Sequence, residues 1–378
     1  MKKQILIIAG EASGDHYGAA LALAIHQKNP DITLLGMGGD KMRKAGVDIR
    51  VDAGPLGVIG LIEVLSHIVP IYRAWKTLKT IMKQARPDLL VLIDYPAFNL
   101  RIAKVAKSLG IPVLYYISPK IWAWNRRRIK KIGERVDKML VIFPFEEALY
   151  REKNIPVEYV GHPLAESVCP DKDVQTMRAE LKIDHSSGVI GLLPGSRKGE
   201  IKRLLPVMLL SAEKLKARYP DTVFVLPLAN SLTLADLAPY LQKTTLDIKI
   251  VSEQFYNTVQ LCSAAIVVSG TATLETALLQ VPMVIVYKTA ASTYAILKRI
   301  IQIPYIGLCN IIAEKMIVKE LIQQKATPDT ISAEISHILE NDVYRYRMQK
   351  SLLSVKEKLG QGGSIARVAR IILDIVKE

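Results

Sequence analysis

Cysteine is scarce: the 378 residues include three, Cys169, Cys262 and Cys309, far apart and with no C-x-x-C or Cys/His spacing. That excludes a disulfide-stapled scaffold and a cysteine-built metal site, and fits thiols in a reducing compartment. Long apolar runs are missing too: no stretch approaches the ~20 uncharged apolar residues that span a bilayer. The apolar Gln4–Ala9 is too short for a signal peptide, and Glu11 and Asp15 follow it with no cleavage site. It is expected to be a first strand, in a cytoplasmic protein that can still touch membranes. The dinucleotide fingerprint G-x-G-x-x-G and the phosphate loop G-x-x-x-x-G-K-[ST] are both absent. So are a solenoid repeat and any recognisable RNA- or DNA-binding module.

What is present is basic and core-rich. Half the residues are hydrophobic and the net charge is +15. Such a balance suits an acidic partner: nucleic acid, an anionic membrane surface or a phosphorylated substrate. The length suggests two domains. Apolar strand-length runs alternate with helical stretches at Gln4–Ala9, Ile32–Met37, Leu89–Ile93, Ile111–Ile117, Lys138–Phe143 and Val157–Val160. After a linker near Cys169-Pro170-Asp171 the rhythm restarts at Gly188–Leu193, Val223–Leu228, Ile248–Val251, Ala264–Val268 and Met283–Tyr287. Strand-turn-helix units in series predict two doubly wound parallel α/β sheets. The expected domains are 1–168 and 169–344, with the C-terminal helical region, about 345–378, joining the first.

Several turns carry candidate chemistry. Ser269-Gly270-Thr271-Ala272-Thr273-Leu274-Glu275 leads from an apolar run into a helix. Free N–H groups at a helix start attract phosphate, and Glu275 would lie one turn inside, within reach of sugar hydroxyls. A plain strand-to-helix connection is the alternative. Gly195-Ser196-Arg197 forms a second such turn, with a guanidinium that can grip phosphate bidentately. Asp94 ends the clearest strand, where a general base would be useful, although a lone Asp is more often a turn or cap residue. Glu11 ends the first strand. Val58, Ile62, Leu65, Ile68 and Val69 cover more than one helical face, with Trp75 and then cations at their border. That segment suits either a membrane interface or a core-packed helix pair. Trp122 and Trp124 stand beside Arg126 and four further cations, a patch able to hold phosphate, nucleic acid or lipid headgroups. Val318–Gln323 reads as helical, placing Glu320 and Gln323 on one face.

Taken in order, these stretches resemble one family, lipid-A-disaccharide synthase, nearly end to end. The resemblance rests on residues 9–15, 93–99, 116–124, 143–146, 159–163, 193–197 and 269–275. It implies a GT-B fold, with two Rossmann-like domains facing a central cleft. It implies transfer of 2,3-diacylglucosamine from its UDP donor to 2,3-diacylglucosamine 1-phosphate (lipid X), with inversion and without a metal or other cofactor. UDP would be held by Gly195, Ser196, Arg197, Ser269, Gly270, Thr271, Ala272, Glu275, Asn310, Glu320 and Gln323. Asp94 would be the base, with Glu11 the second choice. Val58, Ile62, Leu65, Ile68, Val69, Trp75, Trp122, Trp124 and Arg126 would serve the acceptor and an anionic membrane surface. The expected place is the cytoplasmic face of the inner membrane, peripherally bound, with no nucleic-acid partner and a homodimer left open. Other readings are a UDP-N-acetylglucosamine epimerase, a muramyl-type glycosyltransferase, or a basic nucleic-acid-binding protein.

Overall fold

A computed structural model of the chain describes residues 3–54, 68–123, 127–300, 303–360 and 362–377. The chain divides into two compact units, Met1–Glu166 with Gln361–Glu378, and Ser167–Gly360.

The first unit is built on β1 (Gln4–Ala9), β2 (Thr33–Gly38), β3 (Asp48–Asp52), β4 (Leu89–Ile93), β5 (Val113–Tyr116), β6 (Lys138–Val141) and β7 (Val157–Tyr159). They form one parallel sheet in the order β3-β2-β1-β4-β5-β6-β7. Central strands are apolar throughout because helices cover both faces; every residue of β4 is buried. Edge strand β3 instead alternates exposed with half-buried residues. The sequence alone does not predict this strand, since Asp48-Ile49-Arg50-Val51-Asp52 has no continuous apolar run.

The order reverses between β1 and β4, where Ala9 pairs with Ile93. In an open α/β sheet such a switch point opens a crevice at the carboxyl ends of the strands. Gly10-Glu11 leaves β1 there and Asp94-Tyr95 leaves β4. The last helix, Ser364–Lys377, packs on the Ala12–Lys28 helix. Its buried Val368, Ile371, Ile372 and Val376 follow helical spacing. Each such burial contributes about 1.5–3 kcal/mol. Arg367 donates to the Val160 carbonyl and the Ser364 N–H to Glu166, tying the helix to this unit.

The second unit repeats the plan with β8 (Val189–Leu193), β9 (Val223–Leu228), β10 (Ile248–Ser252), β11 (Ala264–Val268), β12 (Met283–Tyr287) and β13 (Glu320–Ile322). Their order is β10-β9-β8-β11-β12-β13, all parallel. The switch point lies between β8 and β11, the strands that feed the turns at 194–197 and 269–270.

The expected helix at Val318–Gln323 is corrected. Glu320–Ile322 is a strand, paired with Ile285–Tyr287 of β12, and Gln323 opens a 3₁₀ turn. Six residues with three apolar side chains satisfy either period, and the open edge of β12 decides between them.

Candidate active site

In the first unit the crevice is shaped by strained backbone. Asp94 and Tyr95 have φ of 45° and 48°, and Ile117, just past β5, has φ 66°. Such conformations cost on the order of 1–3 kcal/mol each and persist where the surroundings dictate them. Here the elbow after β4 is pinned from below. Asn99 donates to the Ile93 and Asp94 carbonyls at 3.2 and 2.6 Å, and the Tyr115 hydroxyl donates to the Asp94 carbonyl at 2.5 Å. With its main chain held, Asp94 lines a pocket of about 180 Å³ with Pro96, Pro119, Lys120, Ile121 and Arg128. Burial first, and then the neighbouring Glu11 charge, push this carboxyl up to about 6, against the pull of Lys120. A carboxyl held near neutrality in a pocket is what a general base requires.

The two acids after β1 part company. Asp15 is committed to the fold: its carboxylate accepts the Gly39, Lys41 and Met42 N–H groups at 2.7–3.1 Å. Glu11 is half-buried at the start of the Ala12–Lys28 helix and makes no side-chain capping bond.

Trp122 is not part of an exposed patch, contrary to expectation. It is 7% exposed, and its indole Nε1 donates to Glu146 Oε1 at 2.9 Å. Phe143 and Phe145 meet its ring edge-on. Glu146 also accepts the Phe143 N–H at 3.2 Å, and burial pushes its carboxyl up to about 7. A buried acid needs such donors, so Trp122 anchors the loop carrying Pro119-Lys120-Ile121 to the interior. His162 is structural as well: burial, then Lys120, push its imidazole down to about 3, and Nδ1 accepts the Leu164 N–H at 3.1 Å.

Val58, Ile62, Leu65, Trp124 and Arg126 lie outside the described residues, as does the side chain of Ile68. The Ile68–Ala85 helix that follows is amphipathic. Ala74, Leu78 and Met82 are buried, and Trp75 packs half-buried against the same core. Val69 and Tyr72 are 56% and 60% exposed; Tyr72 stacks on Trp75, and Lys79 Nζ lies 5.0 Å from the Trp75 ring centre. No helix among the described residues is long and apolar enough to cross a membrane.

In the second unit the turn at 269–275 is open. Gly270 caps the Thr271–Leu278 helix, and a Cβ built on it would meet no atom within 4 Å. Among the described residues nothing accepts the Thr271 or Ala272 N–H groups, which leaves them available to an anion at the helix start. Ser269 Oγ donates to the Ile306 carbonyl at 2.9 Å, and Thr273 Oγ1 accepts the Leu308 N–H at 3.3 Å. Glu275 is half-buried, its carboxyl raised by burial and bonded at 3.1 Å by the Tyr256 hydroxyl.

The turn at 195–197 differs. Gly195 has φ 112°, a conformation suited to glycine, and a Cβ there would lie 2.2 Å from Glu200 Oε2. That same oxygen accepts the Ser196 and Arg197 N–H groups at 3.0 and 3.2 Å. The expected backbone cradle is therefore occupied by a carboxylate of the chain, in a capping-box pattern legible as Arg197-x-x-Glu200. The Arg197 guanidinium is largely exposed, and its Nη1 lies 3.2 Å from Glu200.

Asn310, Glu320 and Gln323 bond to their own chain. Asn310 donates to Val318 O and Glu320 Oε1 and accepts the Ile317 and Val318 N–H groups, all within 3.0 Å. Glu320 also takes the Ile306 and Gly307 N–H groups, and Gln323 pairs with the Thr289 backbone. Asn310 and Glu320 hold Ile306, Gly307 and the start of the Leu308–Ala313 helix beside the Ser269 turn, and Gln323 ties down Thr289. Tyr256 and Glu200 are residues near these turns that the motifs alone do not single out. Among the described residues no cluster of acids, histidines and cysteines could hold a metal ion.

A family model for lipid-A-disaccharide synthetase matches residues 5–372. The lipid-A-disaccharide synthase of Geobacter sulfurreducens is 48% identical over 373 residues, covering 99% of this chain and 97% of that protein. That of Coxiella burnetii is 42% identical over 374 residues, covering 99% of each. Among solved structures, Staphylococcus aureus MnaA with UDP superposes with a TM-score of 0.67 at 12% identity, over 100% of this chain and 98% of that one. MurG of Acinetobacter baumannii does so with 0.60 at 17%, over 98% and 99%. At such identities these structures speak to the fold, and two parallel α/β units of this order make it GT-B. The matched model and the relatives' identity over nearly full length place the chain in the lipid-A-disaccharide synthase family.

Proposed function

We propose that the protein joins two acylated glucosamines, transferring 2,3-diacylglucosamine from UDP to the 6-hydroxyl of 2,3-diacylglucosamine 1-phosphate in lipid A biosynthesis. The observation that carries the chemistry is Asp94: a pocketed carboxyl, held near 6, at a sheet switch point. Its carboxylate takes the hydroxyl proton as that oxygen attacks the anomeric carbon from the face opposite UDP. The new C–O bond forms as the bond to the diphosphate breaks, and UDP leaves with the electron pair. The anomeric centre inverts. Such base catalysis is worth ~10²–10⁴-fold.

The second unit takes the UDP. The Thr271 and Ala272 N–H groups and the Arg197 guanidinium stabilise the charge that develops on the diphosphate, and Glu275 takes the ribose. Asn310 and Glu320 position the Ile306-Gly307 segment beside that turn, and Gln323 positions the Thr289 backbone. The first unit takes the acceptor, and Val69, Tyr72 and the cations of the same helix rest on an anionic membrane surface at the cytoplasmic side. The test follows UDP release from UDP-2,3-diacylglucosamine with and without lipid X. Release that depends on both substrates is expected; release without acceptor, or none, overturns the assignment.

A further inference from the structure

Beside the Asp94 pocket lies a second hollow, of about 330 Å³, within the range of small-molecule sites. Its wall comes from two helices. Pro96, Ala97, Leu100 and Arg101 lie on one face of Pro96–Ser108, while Arg127, Arg128, Lys131 and Arg135 come from Arg128–Gly133 and its flanks. Five of these eight residues are cations and none is acidic. Toward the end of the same helix Lys107 is neutralised, its Nζ 2.6 Å from Asp137. Among the described residues no carboxylate pairs with Arg101, Arg127 or Lys131, and Arg135 spends one N–H on the Leu100 carbonyl at 2.9 Å. Like charges gathered in one concavity repel, and the field they focus is relieved by a bound anion. Guanidinium forks match phosphate oxygens two at a time.

The two hollows are adjacent, since Pro96 and Arg128 line both. We infer that the cationic hollow seats a sugar phosphomonoester, the 1-phosphate of the acceptor, and so presents the acceptor hydroxyl to Asp94. The inference rests on the proposed function for its substrate. The same chemistry could come from a bilayer phospholipid headgroup, but adjacency to the Asp94 pocket favours the acceptor, whose reacting hydroxyl and phosphate belong to one sugar.

The test uses Arg101→Gln and Lys131→Gln, both exposed positions, singly and together. Each substitution removes one charge-assisted hydrogen bond to the phosphate and should raise KM for lipid X about tenfold, and more in the double variant. KM for the UDP donor and cosedimentation with phosphatidylglycerol vesicles should not change. With 2,3-diacylglucosamine lacking the phosphate, wild type and variants should have the same KM. An unchanged KM for lipid X overturns the inference, as does an equal rise with the phosphate-free acceptor. Loss of vesicle binding with unchanged KM assigns the hollow to membrane headgroups. Calorimetric titration with glucosamine 1-phosphate separates this inference from the reading beneath it. If wild type fails to turn over but binds that probe, and the variants bind it about tenfold more weakly, the proposed function falls and the phosphate site stands. An active enzyme whose affinity for the probe is untouched by both substitutions keeps its function and loses this site.

Discussion

The ring of Tyr95 lies over Gly10: a Cβ added to Gly10 would stand 2.1 Å from Tyr95 Cδ1 and 2.5 Å from its Cγ. These atoms belong to the root of the ring, so little can rotate away. Gly10→Ala must push Tyr95, and Tyr95 shares its left-handed elbow with Asp94. Overpacking of this kind costs about 1–3 kcal/mol, while a shift near 1 Å in a reacting group costs on the order of 100-fold in rate. Gly10→Ala should therefore lower kcat far more than it lowers the melting temperature. Steady-state kinetics beside thermal denaturation checks this; full kcat would show that the ring moves without Asp94.

With Asp94 as the proposed base, its carboxyl at about 6 should set the pH profile. A base acts when deprotonated, so kcat/KM should rise with pH through about 6 and then level. Glu11→Gln removes a charge that raises this pKa and should move the limb to lower pH. Lys120→Met removes one that lowers it and should move the limb up. The folded value stands above the ordinary 3.8, so folding favours the protonated form. That stabilisation is full below about pH 4 and is lost as pH rises to about 6. Asp94→Asn, free of this loss, should abolish turnover yet melt no lower than wild type at pH 8. An acid limb unmoved by Glu11→Gln would remove Glu11 from the neighbourhood that tunes the base.

Gly270 has room around it, and its φ of 164° is extended backbone open to any residue. Gly270→Val should therefore fold normally and fill the space in front of the Thr271 and Ala272 N–H groups. Donor KM should rise by tenfold or more with acceptor KM unchanged, since the anion loses its approach to the helix start. Equal donor affinity in the two proteins would return this turn to a plain connection.

Trp122 and Tyr72 should separate cleanly. Trp122→Phe strips a donor from buried Glu146, costing about 1–3 kcal/mol of stability with no effect on vesicle binding. Tyr72→Asp alters a largely exposed position and should weaken binding to anionic vesicles while sparing the melting temperature. Denaturant melts and vesicle cosedimentation read both. If Tyr72→Asp unfolds the protein and leaves the membrane association of the remaining folded fraction intact, that helix face is structural.

Most of the two sheets was readable because central parallel strands are locally apolar, as in Leu89–Ile93 and Ala264–Val268, and because each ends in a polar turn. Two of the four edge strands, β3 and β13, were not, whereas β7 and β10 were. Asp48–Asp52 is half exposed, and Glu320–Ile322 satisfies two periods until β12 offers it an edge. The candidate turns were visible as small and polar residues after strands. Their internal satisfaction was visible only in part: Glu200 sits three residues beyond Arg197, whereas the partners of Asn310 and Glu320 come from a loop and a strand folded together.

By itself, the sequence determined that this chain makes two parallel α/β units with acids and glycines at the strand ends. Backbone pairing and helix packing demand that periodic apolar pattern residue by residue. Only the tertiary structure decided which polar groups are spent on the chain and which face open space. Trp122 and Glu146, or Arg101 and Lys131, are brought together by separate helices and loops. Burial, which sets the Asp94 carboxyl near 6 and turns Trp122 inward, belongs to the assembled environment and not to any one stretch of chain.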